Sequence, residues 1–204
     1  MPLTEQSIRE ALSAFSSADP TPGGGSASAL ASAVGASVLM MVTGLPKSRT
    51  GSDQDRAALA NAARSLADIR EGLTAAIDGD TAAYDRVVAA FKLPKASADE
   101  QSARSAAIQQ ALRGATDVPL GVMRLSAAAL ALSVAVAAHG HRAAASDVGV
   151  AVALLRAGTR GAQLNVEINL GSISDLEYAA AVTAEAAGVS AGASQAADEA
   201  EALL

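Results

Sequence analysis

The chain has 204 residues, no cysteine and only two histidines. Its chemistry must therefore come from carboxylates, amides, lysines, hydroxyls and bare backbone. Disulfides, thiolate nucleophiles and cysteine metal sites are excluded. His139 and His141 stand two residues apart, a spacing that does not put two ligands on one helical face. No His-Glu-x-x-His pattern occurs, so no metal is expected. A serine nucleophile needs a base and an orienting acid, and no serine here sits in a motif that proposes them. Asp147 follows Ser146 at an expected helix start, behind the loop Gly140-His141-Arg142. It reads as an N-cap or as an acid/base. Asp85 lies beside Tyr84 on an expected helix, where a solvated acid is the ordinary reading. Asn165 and Asn169 are one turn apart and share a face. Asparagine is a mediocre helix former, so the pair suggests polar work in a cleft, or hydrogen bonding between helices.

The stretch Pro20-Thr21-Pro22-Gly23-Gly24-Gly25-Ser26 precedes an uncharged run from Ala27 to Leu45. Pro20 and Pro22 fix the backbone approach, and three glycines remove every side chain. Glycine admits positive φ and close approach of a ligand or a second backbone. Ser26 is the expected N-cap of the helix that follows. Such an end exposes N–H groups with partial positive charge, which can hold an anion or a polarised oxygen. The plainer reading is a tight entry turn. No Gly-Lys-Ser/Thr closes a Walker loop, and the spaced glycines of a dinucleotide fingerprint are absent.

The elements that must position these residues are all predicted to be helical. Half of the residues are hydrophobic but only 2% are aromatic. An alanine-rich apolar set favours helices packed at short distance. Helices are expected at about 5–16, capped by Thr4, and at 26–44, where Ser28, Ala31 or Ser32, Gly35 and Ser37 make a small-residue stripe. Further helices are expected at 53–77, started by Ser52, and at 81–91 after a break at Asp78-Gly79-Asp80. The box Ser97–Glu100 opens a helix to Thr116. Pro119 should sit in the first turn of the next helix, to His139. The last two are expected at 147–170 and beyond a second box at Ser174–Glu177. Val166–Leu170 alternates but continues a helix. The fold class is therefore all-α, one domain over 1–204, a bundle of about seven to eight helices. A net charge of −6 argues against a nucleic-acid partner. The polar start Met1–Glu10 is unlike a signal peptide. The uncharged runs Ala27–Leu45 and Leu125–Ala138 are expected to be buried helices of a soluble cytoplasmic protein, not membrane spans. The surplus of small apolar residues predicts a homodimer or larger.

Five segments carry a family resemblance: Pro20–Ser26, Tyr84–Lys95, Ala115–Leu120, Ser146–Ala151 and Leu164–Asn169. In this order they resemble the cyclodeaminase/cyclohydrolase family of folate enzymes, over about residues 5–190. That family includes the cyclodeaminase half of formiminotransferase-cyclodeaminase and stand-alone methenyltetrahydrofolate cyclohydrolases. The resemblance implies an all-helical homodimer with a folate site near the dimer contact, no metal and no redox cofactor. It implies hydrolysis of 5,10-methenyltetrahydrofolate to 10-formyltetrahydrofolate. The alternatives are ring closure of 5-formiminotetrahydrofolate with release of ammonia, or a non-catalytic dimer of the same fold. Hydrolysis comes first because no formiminotransferase domain accompanies the chain. Both reactions pass through a tetrahedral carbon and need a proton shuttle. The resemblance assigns Asp147 and then Asp85 as acid/base groups. Pro22, Gly23, Gly24, Gly25 and Ser26 would form a backbone wall, with Asn165 and Asn169 as polar positioners. Lys95 would hold the substrate's glutamate tail or relay a proton. Two places depart from the family pattern. His141 replaces the asparagine of a Gly-Asn pair, at a substrate contact. Leu45-Pro46-Lys47-Ser48-Arg49 stands where Leu-Thr-x-Gly-Lys is usual.

Overall fold

Short polar caps start most of the helices in the computed structural model, which describes residues 1–204. Ser7 and Glu10 form a reciprocal capping box on α1 (Ile8–Phe15). Gly23 precedes α2 (Gly24–Thr43). The Ser52 hydroxyl accepts from Asp55 N–H at the start of α3 (Asp53–Phe91), and a Ser97–Glu100 box opens α4 (Ala98–His139) as expected. The last two helices are α5 (Ala145–Leu170) and α6 (Leu176–Glu201). Two 3₁₀ turns, Leu3–Glu5 and Arg142–Ala144, complete the order. There is no strand, only one isolated bridge between Ser48 and Gly140. Val166–Leu170 is helical despite its alternation.

The helix count is six rather than seven or eight, because two expected breaks are helical. The first is Asp78-Gly79-Asp80. Aspartate breaks helices by bonding to nearby backbone, but both carboxylates here are engaged elsewhere. Asp78 accepts from Leu3 N–H at 2.6 Å and from the Thr4 hydroxyl. Asp80 accepts from Ser26 N–H at 2.9 Å. The second is Pro119, which lies inside α4 and is buried. A helical proline removes the N–H that would serve the carbonyl four residues back. That carbonyl belongs to Ala115, and it accepts from Asn169 Nδ2 at 2.8 Å. An amide from α5 thus replaces the missing bond and ties α5 to α4.

Four caps also differ from expectation. Thr4 bonds Asp78 and leaves the α1 cap to Ser7. Ser26 lies in the first turn of α2, not at its N-cap. Helix α5 begins at Ala145 behind Ala144, with no side-chain cap, so neither Ser146 nor Asp147 caps it. Asp175, not a Ser174–Glu177 box, caps α6 by accepting from Tyr178 N–H at 3.0 Å.

The core draws on α2 to α6, with Leu39, Leu66, Leu73, Met123, Leu130, Leu155 and Val166 essentially sealed from solvent. Helix α2 runs antiparallel to α5, in contact through small residues. A Cβ on Gly158 would overlap the Ser32 hydroxyl and lie 2.8 Å from the Ser28 carbonyl. One on Gly35 would lie 2.9 Å from the Ala151 carbonyl. Ser28, Ser32 and Gly35 therefore form the expected close-contact stripe. Ser37 turns the other way, into a cavity of about 400 Å³ beneath α1. Helices α2 and α4 are long and apolar enough to cross a membrane by length and composition. About half of each apolar window, 56% and 50%, is buried inside the bundle.

Candidate functional site

Because α3 is unbroken, it carries Asp80 past the glycine loop. There the carboxylate meets the first turn of α2. Its Oδ2 accepts from Ser26 N–H at 2.9 Å and from the Ser26 hydroxyl at 3.2 Å. The same hydroxyl lies 2.8 Å from the Ile77 carbonyl and can donate to only one of the two. This approach requires Gly25. A Cβ there would overlap the Asp80 carboxylate, lying 2.6 Å from Oδ2. The glycines act through close approach and not through positive φ, which only Gly51 adopts. The Thr21–Pro22 peptide, just upstream, is cis. Burial pushes the Asp80 carboxyl above its ordinary range, against the two Ser26 hydrogen bonds that lower it.

Asn165 closes the other side. Its Nδ2 lies 3.4 Å from where a Gly24 Cβ would be and donates to the Gly161 carbonyl at 2.9 Å. Thr81, next to Asp80, buries a hydroxyl with no hydrogen-bond partner. The cluster therefore combines an exposed helix start at Gly24, a half-buried carboxylate and a neutral amide. Backbone N–H groups at such an end can polarise a substrate oxygen. A carboxylate whose pKa is raised is a better proton acceptor than an ordinary one.

Of the residues singled out in the sequence, the structure brings Gly23, Gly24, Gly25, Ser26 and Asn165 together behind Pro22. Asn169 serves the Ala115 carbonyl instead. Asp85 and Lys95 are exposed, on α3 and on the α3–α4 loop. Asp147 lies 18 residues before Asn165 on α5, about 27 Å away at 1.5 Å per residue. His141 is at that far end too. Asp80 was missed because Asp-Gly-Asp reads as a breaker. The signal available was its spacing: Ile77, Asp80 and Tyr84 fall on one helical face.

The far end holds a second polar cluster. Arg49 N–H donates to the His139 carbonyl at 2.7 Å, and its guanidinium donates to the Ala137 and Ala138 carbonyls, capping α4. These contacts hold the departing loop Leu45–Arg49 against the departing His141. Between them opens a cavity of about 570 Å³ lined by Lys47, Arg49, Arg56, His141 and Arg142, among others. Buried Asp55 anchors the loop. It accepts from Thr50 N–H at 2.6 Å and from the Thr50 hydroxyl at 2.7 Å. It also contacts His139 Nδ1 at 2.8 Å. An ionised carboxylate only accepts, so Nδ1 carries the proton. The His139 bond, followed by those from Thr50, holds the Asp55 carboxyl well below the usual carboxylate range.

Linkage then fixes a sign. A depressed folded pKa gives stability that is present above the unfolded pKa and lost as pH falls through the folded one. Asp55→Asn should therefore lower Tm at pH 7, and the gap to the parent should narrow as pH drops below about 4. Thermal melts from pH 7 to pH 3 check this, and a pH-independent gap would contradict it.

Comparison with known proteins shows the family of the chain and its fold. The family model described as formiminotransferase-cyclodeaminase matches residues 7–188. A methenyltetrahydrofolate cyclohydrolase of Methylorubrum extorquens is 37% identical over 85% of this chain and 84% of its own length. The formimidoyltransferase-cyclodeaminase of Sus scrofa is 31% identical over 88% of this chain, which spans 33% of that protein's length. The crystal structure of formiminotetrahydrofolate cyclodeaminase from Thermotoga maritima superposes with a TM-score of 0.87 at 24% identity, covering 98% of this chain and 96% of that one. That likeness is one of fold. With the glycine-led helix, the asparagine facing it and a match across nearly nine-tenths of the residues, the chain belongs to the formiminotransferase-cyclodeaminase family.

Proposed function

We propose that this protein hydrolyses 5,10-methenyltetrahydrofolate to 10-formyltetrahydrofolate, in the cytoplasm and with no metal or redox cofactor. The observation that carries the reading is the alignment with a methenyltetrahydrofolate cyclohydrolase through most of both chains. The glycine end supplies what the reaction needs. Helix N–H groups can orient the attacking water or the pterin, and Asn165 can position a ring nitrogen or oxygen. Loss of methenyltetrahydrofolate absorbance is the test. A rate proportional to protein concentration is expected, and one equal to the buffer blank would remove the reading. Cyclodeamination is the second reading, favoured by the fold likeness and by the formimidoyltransferase-cyclodeaminase relatives. Ammonia release from formiminotetrahydrofolate separates the two.

The working unit in this reading is a homodimer. Helices α2 and α5 leave a continuous apolar face: Ala27, Val34 and Met41 on one, Val150, Ala157 and Ile168 on the other. Ile168 is 73% exposed and Val150 55%, and α2 carries no charged residue at all. A second copy of this face is the natural cover, since single-chain proteins rarely expose such a patch. A two-fold axis in the contact plane, crossing the helices, would reverse them. It would lay the glycine end of one subunit over the end of the other that carries His141 and Asp147. Asp147 could then act at the site from the partner. Light scattering should give twice the chain mass at micromolar concentration, and Ala157→Arg should halve it. A monomeric parent would refute the assembly.

A further inference from the structure

We propose that the cavity between the Leu45–Arg49 loop and His141 is a binding site for a small organic anion that carries two or more negative charges. The site stands on its own side chains; only one possible source of its ligand depends on the folate reading.

Cations collect there against the trend of the chain. The protein has a net charge of −6, with 15 lysines and arginines against 21 acids. Four of those cations, Lys47, Arg49, Arg56 and Arg142, line this one cavity together with His141, and no carboxylate lines it. Two acids close by in sequence offset part of the charge. Asp53 pairs with Arg56 at the surface, where such a pair is worth little. Asp55 is buried and held by Thr50 and His139. Lys47 and Arg142 enter no ion pair. Like charges gathered in a concave wall raise the local potential and concentrate anions.

The basic walls are also held in place. Arg49 Nε donates to the Ala138 carbonyl at 3.1 Å, and Nη2 donates to the Ala137 and Leu203 carbonyls at 2.6 and 3.2 Å. Its Nη1 donates to no group of the chain and is left for a guest. The bridge between Ser48 and Gly140 ties the loop that carries Lys47 to the turn that carries Arg142. Donors organised in advance lose little freedom when a ligand arrives.

The size of the cavity narrows the ligand. About 570 Å³ falls within the roughly 300–1,000 Å³ of small-molecule sites, and a single phosphate ion would leave most of it empty. Leu45, Leu59 and Ala60 add an apolar wall. Guanidinium groups match carboxylate and phosphate oxygens in pairs. The fitting guest is therefore an organic molecule with anionic groups at more than one point. Two sources have this chemistry: the carboxylates on the glutamate tail of a folate, and a free phosphate-bearing molecule. The glycine end and this cavity lie at opposite ends of α2, Gly24–Thr43, about 28 Å apart at 1.5 Å per residue. A folate tail would thus enter from the partner subunit of the homodimer, not from the same chain.

Calorimetric titration of the full chain with inorganic pyrophosphate and with γ-glutamylglutamate tests the site. At least one probe is expected to saturate at one site per chain. Lys47→Gln with Arg142→Gln should weaken that binding about 10–100-fold, as loss of charge-assisted hydrogen bonds does. Both side chains are exposed, so the double variant should melt close to the parent; if it does not fold, the two single variants carry the same test. Arg64→Gln removes an exposed charge of α3 that does not line the cavity, and it should bind as the parent does. No saturable binding of either probe, or equal weakening in Arg64→Gln, overturns the proposal. Kinetics with methenyltetrahydrofolate then assign the source. Pyrophosphate that raises KM and spares kcat marks the folate tail. Pyrophosphate that binds and leaves both unchanged marks a free phosphate-bearing molecule. A parent inert on methenyltetrahydrofolate removes the folate reading, and the titration still decides the site.

Discussion

Gly25→Ala is expected to cut turnover about 100-fold while leaving the protein folded, since a misplacement of about 1 Å near the reacting atoms can cost this much. The new methyl would overlap the Asp80 carboxylate. What must move first is the far end of a side chain, since the three atoms nearest the new Cβ all belong to the Asp80 carboxylate. The carboxylate can swing away from Ser26 at the loss of one or two hydrogen bonds, about 0.5–1.5 kcal/mol each. Alanine also raises helix propensity by up to about 1 kcal/mol over glycine, which offsets part of that loss. Stability should therefore change little, while Asp80 leaves its place beneath the glycine end. Gly192→Ala is the control. It lies in α6 with nothing within 4 Å of an added Cβ, so activity should stay within a few-fold. Steady-state kinetics of both variants, with melts to confirm folding, check the pair. Equal activities would mean that the position of the Asp80 carboxylate does not matter.

How far the sequence could be read depends on whether local or distant partners decide each residue's state. The Ser52 and Ser97 starts were legible because an N-cap needs only residues three positions away. The small-residue stripe on α2 was legible too, since a glycine and serines at helical spacing have few uses other than close contact. Asp78-Gly79-Asp80 and Pro119 were misread for the opposite reason. Both look like breaks locally, and both are rescued by partners far away in the chain: Leu3 and Ser26 for the aspartates, Asn169 for the carbonyl that the proline leaves unserved. The candidate site suffered from the same misreading. With the helix broken at Asp80, nothing would hold that carboxylate under the glycine loop, and the local pattern offers only Asp85 and Asp147. Of the asparagine pair, Asn165 faces the loop and Asn169 repairs a helix. Their identical type and shared face gave no means of telling them apart.

Helix packing also makes the sign of a glycine substitution predictable, and Gly158 gives the largest stability effect. Gly158→Ala is expected to destabilise the fold by about 1–3 kcal/mol, as overpacking of a tight contact does. In a chain of this length that corresponds to a fall in Tm of roughly 3–10 °C. The added methyl would overlap the Ser32 hydroxyl and lie 2.8 Å from the Ser28 carbonyl. The carbonyl belongs to the α2 backbone, so rotation of a side chain cannot relieve the clash and α5 must move away from α2. Gly188→Ala supplies the opposite sign. Gly188 is in α6 with nothing within 4 Å of an added Cβ, so alanine should stabilise by about 0.5–1 kcal/mol through the unfolded chain and helix propensity. The two melts test the packing, and a Gly158→Ala protein as stable as the parent would show that α2 and α5 are not in close contact there. The same displacement reaches the site. Asn165 stands two turns beyond Gly158 on α5 and faces Gly24 on α2. Widening the gap at Gly158 therefore draws the amide away from the glycine end. Gly158→Ala should lose substrate affinity even at temperatures where it is fully folded, measurable as a raised KM.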